Sequence, residues 1–87
     1  MVDVYHRAGA GRWPVGFEHV AQVEATDADM AFRLTQHGLL GIEHWAQNTG
    51  VTCLLGWAQV RSTSVGDVVV MGGEVLECLP LGWTRIA

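Results

Sequence analysis

The chain contains no lysine; its five basic residues are all arginine, set against nine carboxylates, for a formal net charge of −4. GC-rich coding accounts for that bias. The arginines are scattered, so no basic stripe exists to neutralise a run of phosphates, which argues against general nucleic-acid binding. The acids are equally dispersed and lack the dense rows of a DNA mimic. Cysteine is scarce too. Cys53 and Cys78 stand alone, outside any CxxC pattern, and their spacing gives no support to a disulfide; both are expected to be reduced and buried. No apolar run approaches a bilayer span, so no membrane partner is expected. The opening MVDVYHRAGAG lacks the basic-then-apolar order of a signal peptide, and a cytoplasmic location is the default expectation.

What is present suits one small folded domain. The chain has 87 residues, 49% hydrophobic and 16% charged. A chain of this size buries roughly 60–65% of its unfolded surface, enough for a single core. VDVYHR alternates and reads as a strand. AGAGRWPVG follows as a loop. FEHVAQVEA alternates again, placing His19, Ala21, Val23 and Ala25 on one face, with Gln22 and Glu24 on the other. TDADMAFRLTQHG is the clearest helix: Thr26 and Asp29 stand in a near capping-box arrangement. Met30, Leu34, Ala31, Ala28 and Phe32 share an apolar arc, and Asp29, Arg33, Gln36 and His37 lie opposite. Asp29 and Arg33 are spaced to pair. Gly38 suits the stop.

The middle is less legible. IEHWAQN reads as a short helical turn ended by Asn48 to Gly50, and TCLLGWAQV as either a helix or a buried strand. The end is β-rich. DVVVM is β-branched and apolar, and Gly72-Gly73 signals a two-residue hairpin. That turn pairs Met71 with Glu74, Val70 with Val75, Val69 with Leu76, Val68 with Glu77 and Asp67 with Cys78. Both hairpin faces are largely apolar, which predicts a central place in the sheet, or one face buried in a homodimer. WTRI adds a last short strand. The expected architecture is a single α+β domain over residues 1–87: a small mixed or antiparallel sheet, one main amphipathic helix on one face, and a C-terminal β-hairpin.

The order of motifs carries a resemblance. VAQVEA, DADMAFRLTQH with its FRLTQH core, HWAQN, RSTSVGDVVVMGGEVLECLP and a closing GW run from Val20 to Ile86. Together they resemble the YodL-like domain of small uncharacterised bacterial, phage and plasmid proteins. That family shares a helix reading aFrLTn, a Trp–Asn segment, an RSxSVGDVV turn-strand and a terminal GW or GF. QHG stands where the family has an Asn-His pair. The resemblance implies a compact accessory protein of mobile elements and brings no catalytic residue with it.

Two stretches hold the candidate binding residues. Arg61, Ser62, Thr63 and Ser64, with Asp67, offer hydroxyls, N–H groups and a guanidinium to an anion. The commoner use of such residues is structural: Ser and Thr satisfy their own backbone, Gly66 permits an unusual φ, Asp67 closes the turn, and Arg61 pairs with a nearby acid. Arg12 and Trp13 lie in the GRWPVG loop, and a loop Trp beside Arg is typical of binding surfaces. Trp57 and Trp83 are the expected core indoles, with Trp13 exposed.

Catalytic groups do not assemble by motif. His6, His19, His37 and His44 show no zinc-ligand spacing, and no metal or cofactor is expected. Ser64 lacks a GxSxG context, and Cys78 falls on a buried strand where a thiol is inert. Asp27 and Asp29 suit a helix start. The reading that follows is a non-enzymatic accessory protein that binds another protein. Its alternatives are a nucleic-acid adaptor using the RSTS turn and a small hydrolase or transferase using Ser64 or a cysteine.

Overall fold

The computed structural model describes residues 1–56 and 60–87, and of Leu40 the backbone only. It is an α+β fold. The strands are β1 (Val2–Arg7), β2 (Phe17–Val23), β3 (Val51–Cys53), β4 (Val68–Met71), β5 (Glu74–Cys78) and β6 (Trp83–Arg85), and the helix is α1 (Ala28–Leu34). The strands form one six-stranded antiparallel sheet in the order β3-β2-β1-β4-β5-β6. β1 therefore lies inside, joining the N-terminal strands to the C-terminal hairpin. Val2, Val4, Val20, Ala21, Val23 and Val69 meet Ala28, Ala31 and Trp45 in the main core, so α1 covers one sheet face.

The hairpin forms in the register that Gly72-Gly73 dictates. Met71 pairs with Glu74, Val70 with Val75, Val69 with Leu76 and Val68 with Glu77. Gly72 has φ 55° and Gly73 φ 80°, the two positive values a type I′ turn requires. Cys78 N–H donates to Asp67 O at 2.8 Å, and Gly66 N–H to Cys78 O at 2.9 Å, extending the ladder into the preceding turn. β6 adds outside β5, so β4 is central and β5 is one strand from the edge. On the face away from α1, Val68 is 0% and Val75 8% exposed within this one chain.

β2 departs from its expected alternation. The register shifts between Val4, which pairs with Ala21, and Tyr5, which pairs with His19. Val20 is the extra residue of a bulge, and the bulge turns the pleat over. Val20 and Ala21 both enter the core, whereas His19 stacks on Tyr5 at 4.4 Å on the opposite face.

The helix is also capped differently. Asp27, not Thr26, is its N-cap and accepts from Met30 N–H at 2.8 Å. Its last residue, Leu34, lies four residues before Gly38. The buried Thr35 hydroxyl takes Ala31 O at 2.9 Å and Phe32 O at 3.1 Å, and the Gln36 amide also donates to Phe32 O. Side chains thus satisfy the last carbonyls, and no further turn is needed. Asp29 accepts from the indole N–H of Trp83 at 2.9 Å.

Of the indoles, Trp45 fills the core at 0% exposure, and Trp83 and Trp13 are half-buried. Trp57 lies outside the described residues. Trp45 sits in a short 3-10 turn, Trp45–Gln47, fixed by reciprocal His44 and Gln47 capping bonds. Asn48 closes that turn and donates its side-chain amide to Leu34 O at 2.6 Å. Asn48 thereby ties the turn to the end of α1. The expected Trp45→Ala outcome is a loss of about 3–5 kcal/mol, the usual cost of truncating a fully buried large aromatic, measured by urea unfolding at neutral pH.

Candidate functional site

Residues 61–67 run between the end of α1 and the start of β4, and nearly every polar group in them has a partner in the chain. Arg61 O accepts from the Trp45 indole at 2.8 Å. The Ser62 hydroxyl accepts His37 N–H at 2.8 Å. Thr63 N–H donates to Thr35 O at 3.1 Å, and Thr63 O accepts the Gln36 amide at 2.8 Å. Ser64 to Asp67 is a β-turn closed by Asp67 N–H on Ser64 O at 3.0 Å. Gly66 has φ 92°, a positive angle at the third turn position that type II turns reserve for glycine.

Asp67 is the hub. It is 1% exposed. Arg61 grips both carboxylate oxygens, Nη1 on Oδ2 at 2.6 Å and Nη2 on Oδ1 at 2.8 Å. Ser64 N–H donates to Oδ2 at 2.7 Å, and Arg7 N–H, from the end of β1, to Oδ1 at 2.9 Å. Burial alone would raise the Asp67 carboxyl, but these four donors outweigh it and hold the pKa below its ordinary value. Arg61 is held fully charged, first by its bonds to Asp67. The same guanidinium also reaches Ser62 O, the Ser64 hydroxyl and Arg7 O, so its donors are turned inward.

His6 completes the cluster. β1 presents Val2, Val4 and His6 to the core side, and His6 is 5% exposed. Its Nε2 lies 2.9 Å from Thr63 Oγ1 and 3.8 Å from Asp67 Oδ2. Burial pushes its pKa down to about 4, against a weaker upward pull from Asp67. The imidazole is therefore neutral at neutral pH. Of the residues that matter here, His6 and Gln36 were missed as site members. Alternation along VDVYHR does point His6 inward with Val2 and Val4; nothing local marks Gln36.

The second candidate pair lies on the other sheet face. Arg7 places its guanidinium 4.4 Å over the Phe17 ring and donates to Gly9 O and Gly11 O, which pins the loop of residues 8–16. Trp13 packs edge-on against Tyr5 at 4.8 Å and against Phe17 at 5.3 Å. His19 continues the layer by stacking on Tyr5 and bonding Asp3 at 3.0 Å. Arg12 and Trp13 line a groove of about 350 Å³ with Arg7, Glu77 and Ile86. The structure thus brings Arg61, Ser62, Thr63, Ser64 and Asp67 into one internal cluster, and Arg12 and Trp13 into a separate surface groove.

The remaining titratable groups stay apart. His37 and His44 rings are 4.4 Å apart, and each Nδ1 accepts a backbone N–H of the Trp45 turn. Among the described residues no three His, Cys, Asp or Glu side chains converge as a metal site. Cys53 and Cys78 are both free thiols. Comparison of the chain with models of protein families, with curated proteins and with solved structures returns no match.

Two outcomes follow from the Asp67 cluster. Asp67→Asn removes the ionic grip while keeping the shape, and its expected cost is about 2 kcal/mol, discounted because Arg61 is half exposed; urea unfolding at pH 7 measures it. His6 has a folded pKa of about 4 against an ordinary 6.5. Between those values the unfolded chain binds more protons, so stability is full above pH 6.5 and falls as pH drops toward 4, by about 3 kcal/mol. Thermal unfolding across that window checks this, and His6→Gln is expected to flatten the profile there.

Proposed function

We propose that this chain is a non-catalytic accessory domain that acts by binding another protein through the groove and aromatic layer around Arg12 and Trp13. The carrying observation is the connected layer of Tyr5, Trp13, Phe17 and His19 on the sheet face that α1 does not cover, with the exposed Arg12 at its margin. Trp, Tyr and Arg concentrate binding energy at protein interfaces. Their ordering cost is already met here, because Arg7 and the ring contacts fix the loop before any partner arrives. The groove's chemistry suits a partner that presents an acidic side chain to Arg12 beside an apolar one for Trp13. The motif resemblance to YodL-like domains adds support for an accessory role in a mobile-element setting.

The competing uses fit less well. Arg61 and the RSTS hydroxyls are engaged within the chain, so an anion or a nucleic-acid phosphate would have to displace existing bonds. Burial raises the Cys78 thiol, which keeps it protonated and unreactive at neutral pH. The Ser64 hydroxyl lies 3.3 Å from Arg61, a group that cannot act as its base.

The test is cross-linked affinity capture with the parent chain, Arg12→Glu, Trp13→Ala and the surface control Leu81→Ser, each checked by circular dichroism. The expected result is a protein retained by the parent and the control. The two groove variants should bind it at least about ten-fold more weakly. Equal capture by all four chains overturns the reading.

A further inference from the structure

The sheet ends in β3 on one side and β6 on the other, and the two edges are not alike. In an antiparallel strand, alternate residues turn their N–H and C=O groups toward the neighbour, and the rest turn them outward. Bonds to β5 mark the inward residues of β6. Leu79 N–H donates to Gly82 O at 2.9 Å, and Ile86 N–H to Val75 O at 2.8 Å. Thr84, paired with Glu77 between them, is inward by the same alternation. Trp83 and Arg85 therefore present their N–H and C=O groups to the open edge, and no other bond of the described residues claims them. At β3 the alternation turns Val51 and Cys53 outward, but Val51 N–H is already given to Asn48 O at 3.2 Å.

We propose that two copies of this chain join through β6, antiparallel about a twofold axis at Thr84, so that one six-stranded sheet continues into the other. The register follows from the residues. An axis at Arg85 would set two guanidinium groups face to face, and like charges directly opposite are destabilising. An axis at Trp83 would leave Arg85 against Leu81, in the bend between β5 and β6. An axis at Thr84 sets Trp83 opposite the partner's Arg85, and Arg85 opposite the partner's Trp83. Each pair exchanges its backbone bonds, which uses every outward N–H and C=O of the two residues. The two threonines meet at the axis, a favourable pair across strands. Gly82 falls opposite the partner's Ile86. Nothing lies within 4 Å of where a Cβ on Gly82 would stand, so that side chain has room.

The side chains on the α1 face are complementary too. The Trp83 indole donates to Asp29 Oδ1 at 2.9 Å, and Asp29 makes no ion pair among the described residues. The partner's Arg85 packs against the indole and brings its charge toward Asp29. Arg85 gives up little to do so: its contact with Glu74 is 3.9 Å long and exposed on both sides. This edge is distinct from the Arg12–Trp13 surface, and neither reading depends on the other.

A strand this short gives a weak dimer, with a Kd on the order of 0.1 mM. The test is analytical ultracentrifugation of the full chain from about 10 µM to 1 mM, with amide exchange by NMR at both ends of that range. A monomer–dimer equilibrium is expected, with the Trp83 and Arg85 amides exchanging about three-fold or more slowly at the higher concentration. Thr84→Asp sets like charges together at the axis, and Arg85→Glu sets a carboxylate beside Asp29; each is expected to weaken the dimer at least about ten-fold. Thr52→Asp, the same change at the exposed middle of β3, is expected to leave it unchanged, and circular dichroism checks each fold. A chain that stays monomeric throughout overturns the proposal and leaves the edge to a strand of another protein. Dimerisation of Thr84→Asp or Arg85→Glu as in the parent, loss of the dimer in Thr52→Asp, or equal exchange of the Trp83 and Arg85 amides at both concentrations each overturns it as well.

Discussion

A single buried carboxylate sets the geometry of the C-terminal half. Asp67 sits at 1% exposure and can remain charged there only if its oxygens are filled by donors. The donors come from three places: the Arg61 fork, Ser64 N–H in its own turn, and Arg7 N–H across the sheet. Breaking any one leaves charge uncompensated in a site with little water. The turn, the entry to β4 and the end of β1 are thus fixed relative to one another by one group. His6 and Thr63 pack into the same knot, and Thr63 carries the linkage onward to the end of α1.

That knot explains why so small a domain holds a six-stranded sheet. Among the described residues the buried core cluster is mostly valine and alanine, residues that bury little area each, with Trp45 as its one large side chain. Polar links supplement it at the margins. Trp45 bonds Arg61 O, Asn48 bonds Leu34 O, and Gln36 bridges Phe32 O and Thr63 O. Each is worth about 1 kcal/mol net, but each also costs more than that to leave unmade. Collectively they specify one packing of the 3-10 turn and the 61–67 segment against the helix, where apolar contact alone would allow several.

The parts of this fold that were legible in the sequence are those set by neighbours in the chain. Two adjacent glycines after DVVVM fix a hairpin and its register, because only that turn type suits them. Alternation in VDVYHR marks β1 and sends His6 inward. The parts that were not legible depend on residues far apart. The bulge at Val20 reverses the facing of His19, and local alternation carries no sign of it because both Val20 and Ala21 are small and apolar. Trp45 is held in the core by a partner 16 residues away, whereas its own heptapeptide holds four polar residues and three apolar ones. The Arg61–Asp67 pairing was within reach of local reasoning. The bond from Arg7 N–H, 60 residues distant, was not, and it is this bond that makes the turn part of the sheet.

The same interactions bear on the proposed placing of recognition. A ligand that used Arg61 would have to take donors from Asp67 and leave a buried carboxylate short of partners, at a cost of a few kcal/mol. Serine and threonine side chains around it carry similar obligations to His37 and His6. The Arg12–Trp13 loop has the reverse character. Its anchoring is carried by Arg7, through bonds to Gly9 O and Gly11 O, and by the contacts of Trp13 with Tyr5 and Phe17, and among the described residues the Arg12 side chain makes no hydrogen bond or ion pair. A surface that is already ordered, and that loses no internal bond when covered, starts every association with an advantage in free energy. The turn that carries more polar groups is therefore the one least able to give them away, in keeping with its structural reading in the sequence, and the Arg12–Trp13 loop is the one able to offer its own.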